Sequence, residues 1–195
     1  MKRLVMVVTA LLGLSLLSGC GYNVMQANEE AVFSAWGDVE AAYQRRADLI
    51  PNLVEVVKGY AKHEAETLTA VTEARAKVGS MQVTRDTVNN PETLAKFQQA
   101  QGELSSALSR LMVVVERYPD LKANQNFLDL QKSLTEIEDQ VQMARRYYNG
   151  TVRENNVLVE SFPSNLIARL SGFTKGDFFE LEDEAERKAP QVRFN

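Results

Sequence analysis

From Leu94 onward, seam positions recur at alternating steps of three and four: Leu94, Phe97, Gln101, Leu104, Leu108, Leu111, Val115 and Tyr118. That interval marks one face of an α-helix packed against its neighbours, as in coiled coils. Gln101 is the only strongly polar member. A second seam runs Phe127, Leu130, Leu134, Ile137, Val141, Ala144, Tyr148, Val152, Asn155, Val159 and Phe162, with a four–four step around Tyr148 that locally unwinds a supercoil. A third stripe, Leu49, Leu53, Val56, Val57, Tyr60, Leu68, Val71 and Val78, also has helical spacing. Ala, Leu, Glu, Gln, Arg and Lys dominate, as helices require, and no alternating β-type run competes. The pattern predicts an all-α protein, an elongated antiparallel helical bundle of three long helices. It is four-helix and up-and-down-like if the first helix counts as two.

The punctuation fits. Asn28, followed by Glu29 and Glu30, caps a first helix whose seam is Val32, Ala35, Val39 and Ala42, flanked by Trp36 and Tyr43. Pro51 interrupts the next stretch, because a proline inside a helix removes one hydrogen bond and clashes with the carbonyl four residues back. Two outcomes remain open: one long helix kinked near Pro51, or a new helix capped by Asp48. The kinked helix is preferred and ends near Val78–Gly79, with Gly79 as its stop. Asn90-Pro91-Glu92 starts the next helix, Tyr118-Pro119-Asp120 ends it, and the last long helix runs from near Ala123–Asn126 to Phe162-Pro163. A short amphipathic turn over 164–170 then stops at Gly172 and packs against the end of the bundle; it lacks the strongly basic face that favours membrane insertion. Gly150, beside the stutter, suggests close helix approach. The tail, 173–195, is partly irregular, with Phe173, Phe178, Phe179 and Leu181 able to dock.

The N-terminus is an anchor rather than part of the core. Lys2 and Arg3 precede an apolar run over Leu4–Leu17, then Ser18-Gly19-Cys20. This is the layout of a secretory signal, and the run of about 14 residues falls short of the roughly 20 that span a bilayer. Leu-Ser-Gly-Cys resembles the lipobox of bacterial lipoproteins. That resemblance implies cleavage before Cys20, lipidation of its thiol, and placement outside the cytoplasm. Gly21 rather than Asp after the cysteine favours the outer membrane in a diderm host. The alternative is an uncleaved signal anchor. The division is therefore a signal peptide (1–19), a lipidated tether (20–28), a bundle (29–172) and the tail. Cys20 is the only cysteine, which excludes an internal disulfide. A net charge of -4 excludes the basic footprint of a nucleic-acid binder.

No motif positions a catalytic nucleophile or cradles a phosphate. His63-Glu64 lacks the second histidine of a metalloprotease, since position 67 is threonine. His63 is best explained as a hydrogen-bonded residue between helices; a metal site and a pH-sensing role are the alternatives. Arg45, Arg46, Asp48, Asn52, Glu64 and Arg75, with Glu138, Arg145, Arg146, Tyr148, Asn149 and Asn156, form an interhelical polar network or a partner-binding surface, because arginine forks bridge carboxylates between helices. Catalysis by paired carboxylates is the third option. The sequon at Asn149-Gly150-Thr151 is treated as chance.

Two blocks carry a resemblance. One is Arg45-Arg46-Ala-Asp48-Leu-Ile-Pro51-Asn52, continuing through Gly59-Tyr60-Ala-Lys-His63-Glu64 to Ala74-Arg75. The other is Tyr118-Pro119-Asp-Leu-Lys-Ala-Asn124 with Phe127, Glu138, Ala144-Arg145, Tyr148-Asn149, Asn156 and Phe162-Pro163. Together they resemble the LemA family of bacterial envelope proteins across most of the chain from Glu30 to Pro163. The resemblance implies a tethered helical bundle outside the cytoplasm, with no established enzymatic activity. Many members have an N-terminal transmembrane helix, so the lipobox departs from the pattern, as does Asn155, which stands where aromatic residues are more usual. The expectation is a lipid-anchored, non-enzymatic scaffold or adaptor of the cell envelope. It needs no cofactor or metal, contacts the membrane through its anchor, and has envelope proteins or itself as partner, with no nucleic acid and no evident small-molecule substrate. The alternative is an envelope enzyme or small-ligand receptor that uses the polar cluster of Arg45–Arg75.

Overall fold

The computed structural model describes residues 2–81, 84, 88 and 90–179, with side chains for Lys2 and from residue 21 onward. Six helices are defined there: α1 (Lys2–Tyr60), α2 (Ala65–Gly79), α3 (Pro91–Val115), α4 (Pro119–Lys122), α5 (Gln125–Glu160) and α6 (Ser164–Ser171). α1 and α3 run in one direction and α2 and α5 in the other, an up-and-down arrangement of four. α5 lies along α1, and α2 lies between α1 and α3. Antiparallel all-α packing is as the seams predict. Leu94, Phe97, Gln101, Leu104, Leu108, Leu111 and Val115 are all buried.

The first long helix differs from expectation in three ways. Asn28 is not a cap: α1 is continuous across it. Residues 21–28, expected as a short tether, are helical and packed on the bundle, with Met25 fully buried. The helix also does not continue to Val78–Gly79. It passes through Pro51 without a break and ends at Tyr60, and a turn over residues 61–64 sends α2 back along it.

The hairpin explains how Pro51 is tolerated. A proline at 51 leaves the carbonyl of Ala47 without its helical donor. Arg75, on the returning α2, donates its Nε–H to that carbonyl at 2.9 Å. Had the helix continued, Arg75 would lie far beyond Ala47; the turn brings the two level.

Asparagine caps start two of the later helices. Asn90 accepts from the backbone N–H of Glu92 and Thr93, with Pro91 in the first turn of α3. Asn124 accepts from Phe127 N–H to start α5. Gly172 ends α6 with φ +80°, the left-handed conformation glycine adopts at no steric cost. Two seam assignments fail: Phe162 is 80% exposed and Tyr60 is exposed as well. A Cβ on Gly150 would meet nothing within 4 Å, so close helix approach is not its purpose.

The core has two parts. One is aliphatic and built by four helices: Ile50, Leu53 and Val57 of α1, Leu68 and Val71 of α2, Leu104 and Leu111 of α3, and Phe127 of α5, closed by Leu121. The other is rich in rings: Trp36, Tyr43, Phe97, Tyr148 and Phe179, with Val39, Val141 and Val152. α2 does not reach this second part, which is closed by Val88 and by Phe179 of the tail.

Candidate functional site

Arg46 sits where the two cores meet. It follows Tyr43 by one turn on α1 and precedes Ile50 by another, and only 1% of it is exposed. Its Nη1 donates to Ser105 Oγ at 3.0 Å and to Glu138 Oε1 at 3.1 Å, and its Nη2 donates to the Gln101 side-chain and backbone oxygens. The guanidinium also stacks on the Tyr43 ring, 4.8 Å from its centroid. One residue on α1 thus ties together α3, through Gln101 and Ser105, and α5, through Glu138. The arginine Nε has no partner among the described residues. Charge, planarity and multiple donors suit a guanidinium to this place and would not suit a lysine.

The tip of the bundle joins the two sequence blocks. Glu64, in the turn after α1, accepts a hydrogen bond from the Tyr118 hydroxyl at 3.1 Å and pairs with Arg117 at 3.0 Å. Asn124 donates to the Tyr60 hydroxyl at 2.9 Å. Burial and the neighbouring Glu64 carboxylate both hold the Tyr118 phenol above its ordinary pKa. His63 lies in this turn but is exposed, so its expected place between helices is wrong.

The third cluster joins α5 to the tail. Asn149 accepts from the backbone N–H of Phe179 at 2.7 Å and donates to its carbonyl at 2.9 Å. Asn156 does the same for Gly176, both bonds being 2.9 Å. The asparagines are seven residues apart, about 10 Å along a helix, and the residues they hold are three apart, about 10 Å along an extended chain. Two side-chain amides therefore each satisfy both backbone groups of one tail residue, as a neighbouring chain would. Asn155 donates to Thr174 O at 3.3 Å and Tyr148 to Asp177 O at 3.0 Å. Burial, reinforced by the Asp177 carboxylate, pushes the Tyr148 phenol pKa far up. Phe179 fills the space beside Trp36, Tyr43 and Phe97, with the Arg145 guanidinium 4.5 Å above its ring.

The predicted site residues thus fall into separate groups. Arg46 and Glu138 meet in the polar layer. Arg75 serves the Ala47 carbonyl, and Glu64 serves the tip. Arg145, Tyr148, Asn149 and Asn156 hold the tail. Arg45, Asn52 and Arg146 are exposed, and Asp48, also exposed, accepts from Gln44. Sequence reasoning missed Ser105 and Asn155 as polar partners and the ladder to residues 174–179. The heptad spacing of Asn149 and Asn156 was its visible trace. Leu181 lies outside the described residues, as does the side chain of Cys20.

A cleft of about 540 Å3 opens beside the polar layer, lined among others by Glu40, Tyr43, Arg75, Met81 and Gln101. Among the described residues no group of three or more His, Cys, Asp or Glu could hold a metal ion, and no helix is long and apolar enough to cross a membrane.

A model of the LemA family matches residues 35–194. Magnetosome protein MamQ 2 of Paramagnetospirillum magneticum is similar, 25% identical over 175 residues, covering 82% of this chain and 64% of its own length. So is Magnetosome protein MamQ of Magnetospirillum gryphiswaldense, 24% identical over 174 residues, covering 81% of this chain and 64% of its own length. Protein LemA of Metamycoplasma hominis is 25% identical over 147 residues, covering 75% of this chain and 63% of its own length. The chain spans a little under two thirds of the length of each of these relatives.

Proposed function

The chain belongs to the LemA family, and from that premise we propose that it is a non-enzymatic scaffold or adaptor of the bacterial cell envelope, held on the membrane by lipid at Cys20 and facing away from the cytoplasm. The observation that carries the non-enzymatic part is where the functional-looking side chains go. Arg46, Arg75, Glu138, Asn149 and Asn156 bind other parts of the same chain. Groups held to structural partners in this way are register and docking devices rather than a reacting constellation. The anchoring part is supported by the Leu-Ser-Gly-Cys ending of the apolar run. Its partners are other envelope proteins or further copies of itself.

Two measurements test this. The intact mass of the protein purified from membranes, beside a Cys20→Ser control, should show a species beginning at a lipidated Cys20. An uncleaved, unlipidated chain would overturn the lipid anchor. A pull-down from solubilised membranes should then recover a specific envelope partner, and recovery of none would count against the adaptor role.

The cleft beside Arg75 and Gln101 favours a second reading, a small-ligand receptor for an anionic or hydrogen-bonding molecule. Thermal-shift screening of small carboxylates and phosphates would reveal it. A stabilising ligand whose effect survives Tyr43→Ala would place the binding elsewhere and sink that reading.

A further inference from the structure

We propose that α6 is a second membrane contact, an apolar face that lies on the lipid surface beside the N-terminal anchor and sets the orientation of the bundle. The inference rests on the membrane-anchored reading above, whether the anchor is lipid on Cys20 or the apolar run itself.

The first observation is position. Gly21, the residue after Cys20, packs against α6 so closely that a Cβ on it would sit 2.5 Å from Ile167 Cδ1. One turn of α1 is pinned there as well, since the Tyr22 ring meets the Phe173 ring edge-on at 5.4 Å. No tether separates the anchor from the bundle, so whatever holds residue 20 at a bilayer brings α6 to the same bilayer.

The second observation is what α6 shows to solvent. Ala168 is buried and Ile167 faces Gly21. On the other side, Leu166 and Leu170, one turn apart, are 53% and 88% exposed, and Phe162 just before the helix is 80% exposed. Tyr22 and Val24 add exposed apolar surface on the adjoining turn of α1. In water a large side chain so exposed gains nothing from burial. At a lipid interface each one is removed from water and contributes to binding. The only charged residue of α6 is Arg169, and its cationic head suits an anionic lipid headgroup. The missing basic face, which alone would argue against membrane binding, matters less here: the anchor already holds α6 at the surface, so α6 needs no long-range attraction of its own.

The full chain, reconstituted in phosphatidylethanolamine–phosphatidylglycerol vesicles that carry bromine on the acyl chains, provides the test. Leu170→Trp places a reporter on the exposed face, and Met143→Trp places one at another exposed position, about 25 Å or more along α5. The native Trp36 is buried and contributes the same background to both. Both sites are exposed, so both variants should fold as the parent, which circular dichroism checks. The expected result is strong bromolipid quenching at position 170 and little at 143. Quenching at 170 should be lost when Phe162→Ser and Leu166→Ser are added, while the protein still floats with the vesicles. A chain that floats while position 170 stays unquenched overturns α6 docking and leaves the anchor standing. A chain that does not float overturns the anchor and the inference with it. A position 170 that is shielded only when another protein is present would make the face a protein interface and contradict the proposal.

Discussion

The two halves of the core solve the same problem differently. Around Ile50, Leu104 and Leu111, four helices enclose aliphatic side chains. Around Trp36 and Phe97, α2 has already ended, and aromatic rings together with Phe179 from the tail close the gap. The first half is held by regular packing of helices on helices, where burial alone supplies the drive. The second depends on an extended segment that has no helix of its own and needs its backbone groups satisfied. Asn149 and Asn156 supply those partners. Between the halves lies Arg46, whose buried charge is met by Glu138, Ser105 and Gln101 through its two Nη groups. A bundle can therefore be short of one helix in half its length, provided that a polar ladder recruits a substitute.

The largest test of this contrast is Phe179→Ala. It removes the ring that closes the aromatic half and should cost about 3–5 kcal/mol there, the range for truncating a buried Phe. Urea unfolding followed at Trp36 should show the loss, and a change below about 1 kcal/mol would mean that the tail is not part of the core. Next is Glu138→Leu, which leaves the Arg46 charge buried without its counterion. About 3 kcal/mol should be lost, the low end for breaking a buried pair because Glu138 is partly exposed. Replacing both residues, as Arg46→Met with Glu138→Leu, should recover most of that, and failure to recover would show that the arginine's other bonds matter more.

Arg75→Ala sharpens the account of the Pro51 hairpin. It should cost about 1.5–3 kcal/mol, the range for a hydrogen bond from a charged donor. In a Pro51→Ala background the Ala47 carbonyl regains a main-chain donor, so the same change should cost clearly less. Equal costs in both backgrounds would break the link between Pro51 and Arg75. The smallest effect is Tyr148→Phe, about 1 kcal/mol near neutral pH. The folded state holds the phenol protonated above its ordinary pKa of about 10. Its stabilising contribution is therefore complete below about pH 10 and declines as the pH rises above that, because the unfolded chain gives up the proton first. Wild type should lose stability above pH 10 more steeply than Tyr148→Phe, and parallel pH profiles would contradict this.

Much of this was legible in the sequence, and the reasons differ from residue to residue. The seams of α3 and α5 were visible because a heptad repeat is a local signal that packing reinforces. Asn90 is legible as a cap because caps act over three residues, whereas Asn28 carries the same signal inside a continuous helix. The turn after Tyr60 was not anticipated. Its trace was the gap in the third stripe between Tyr60 and Leu68, filled by Lys62, His63 and Glu64, but Pro51 was the stronger local signal and drew the break to itself. That signal was correct about chemistry, since Pro51 does leave a carbonyl without its helical donor. It was misleading about geometry, because the remedy comes from Arg75, 28 residues further on. The sequence offers the polar set as an interhelical network or a partner-binding surface, and its division into a layer, a tip and a tail ladder depends on tertiary contacts. The tail was seen as able to dock by its phenylalanines, but nothing in a single sequence pairs Asn149 with Phe179.

The most direct test of the two-part core is hydrogen exchange, followed by mass spectrometry, on the full chain and its Phe179→Ala variant. If the tail completes the aromatic half, protection should fall in the α1 segment around Trp36–Tyr43, the start of α3 and the α5 segment around Asn149–Asn156. α2 and the second half of α3 should keep theirs, because Arg46 marks the boundary between the two cores. Uniform loss across all helices would show a single cooperative core and contradict the account, and so would no loss anywhere.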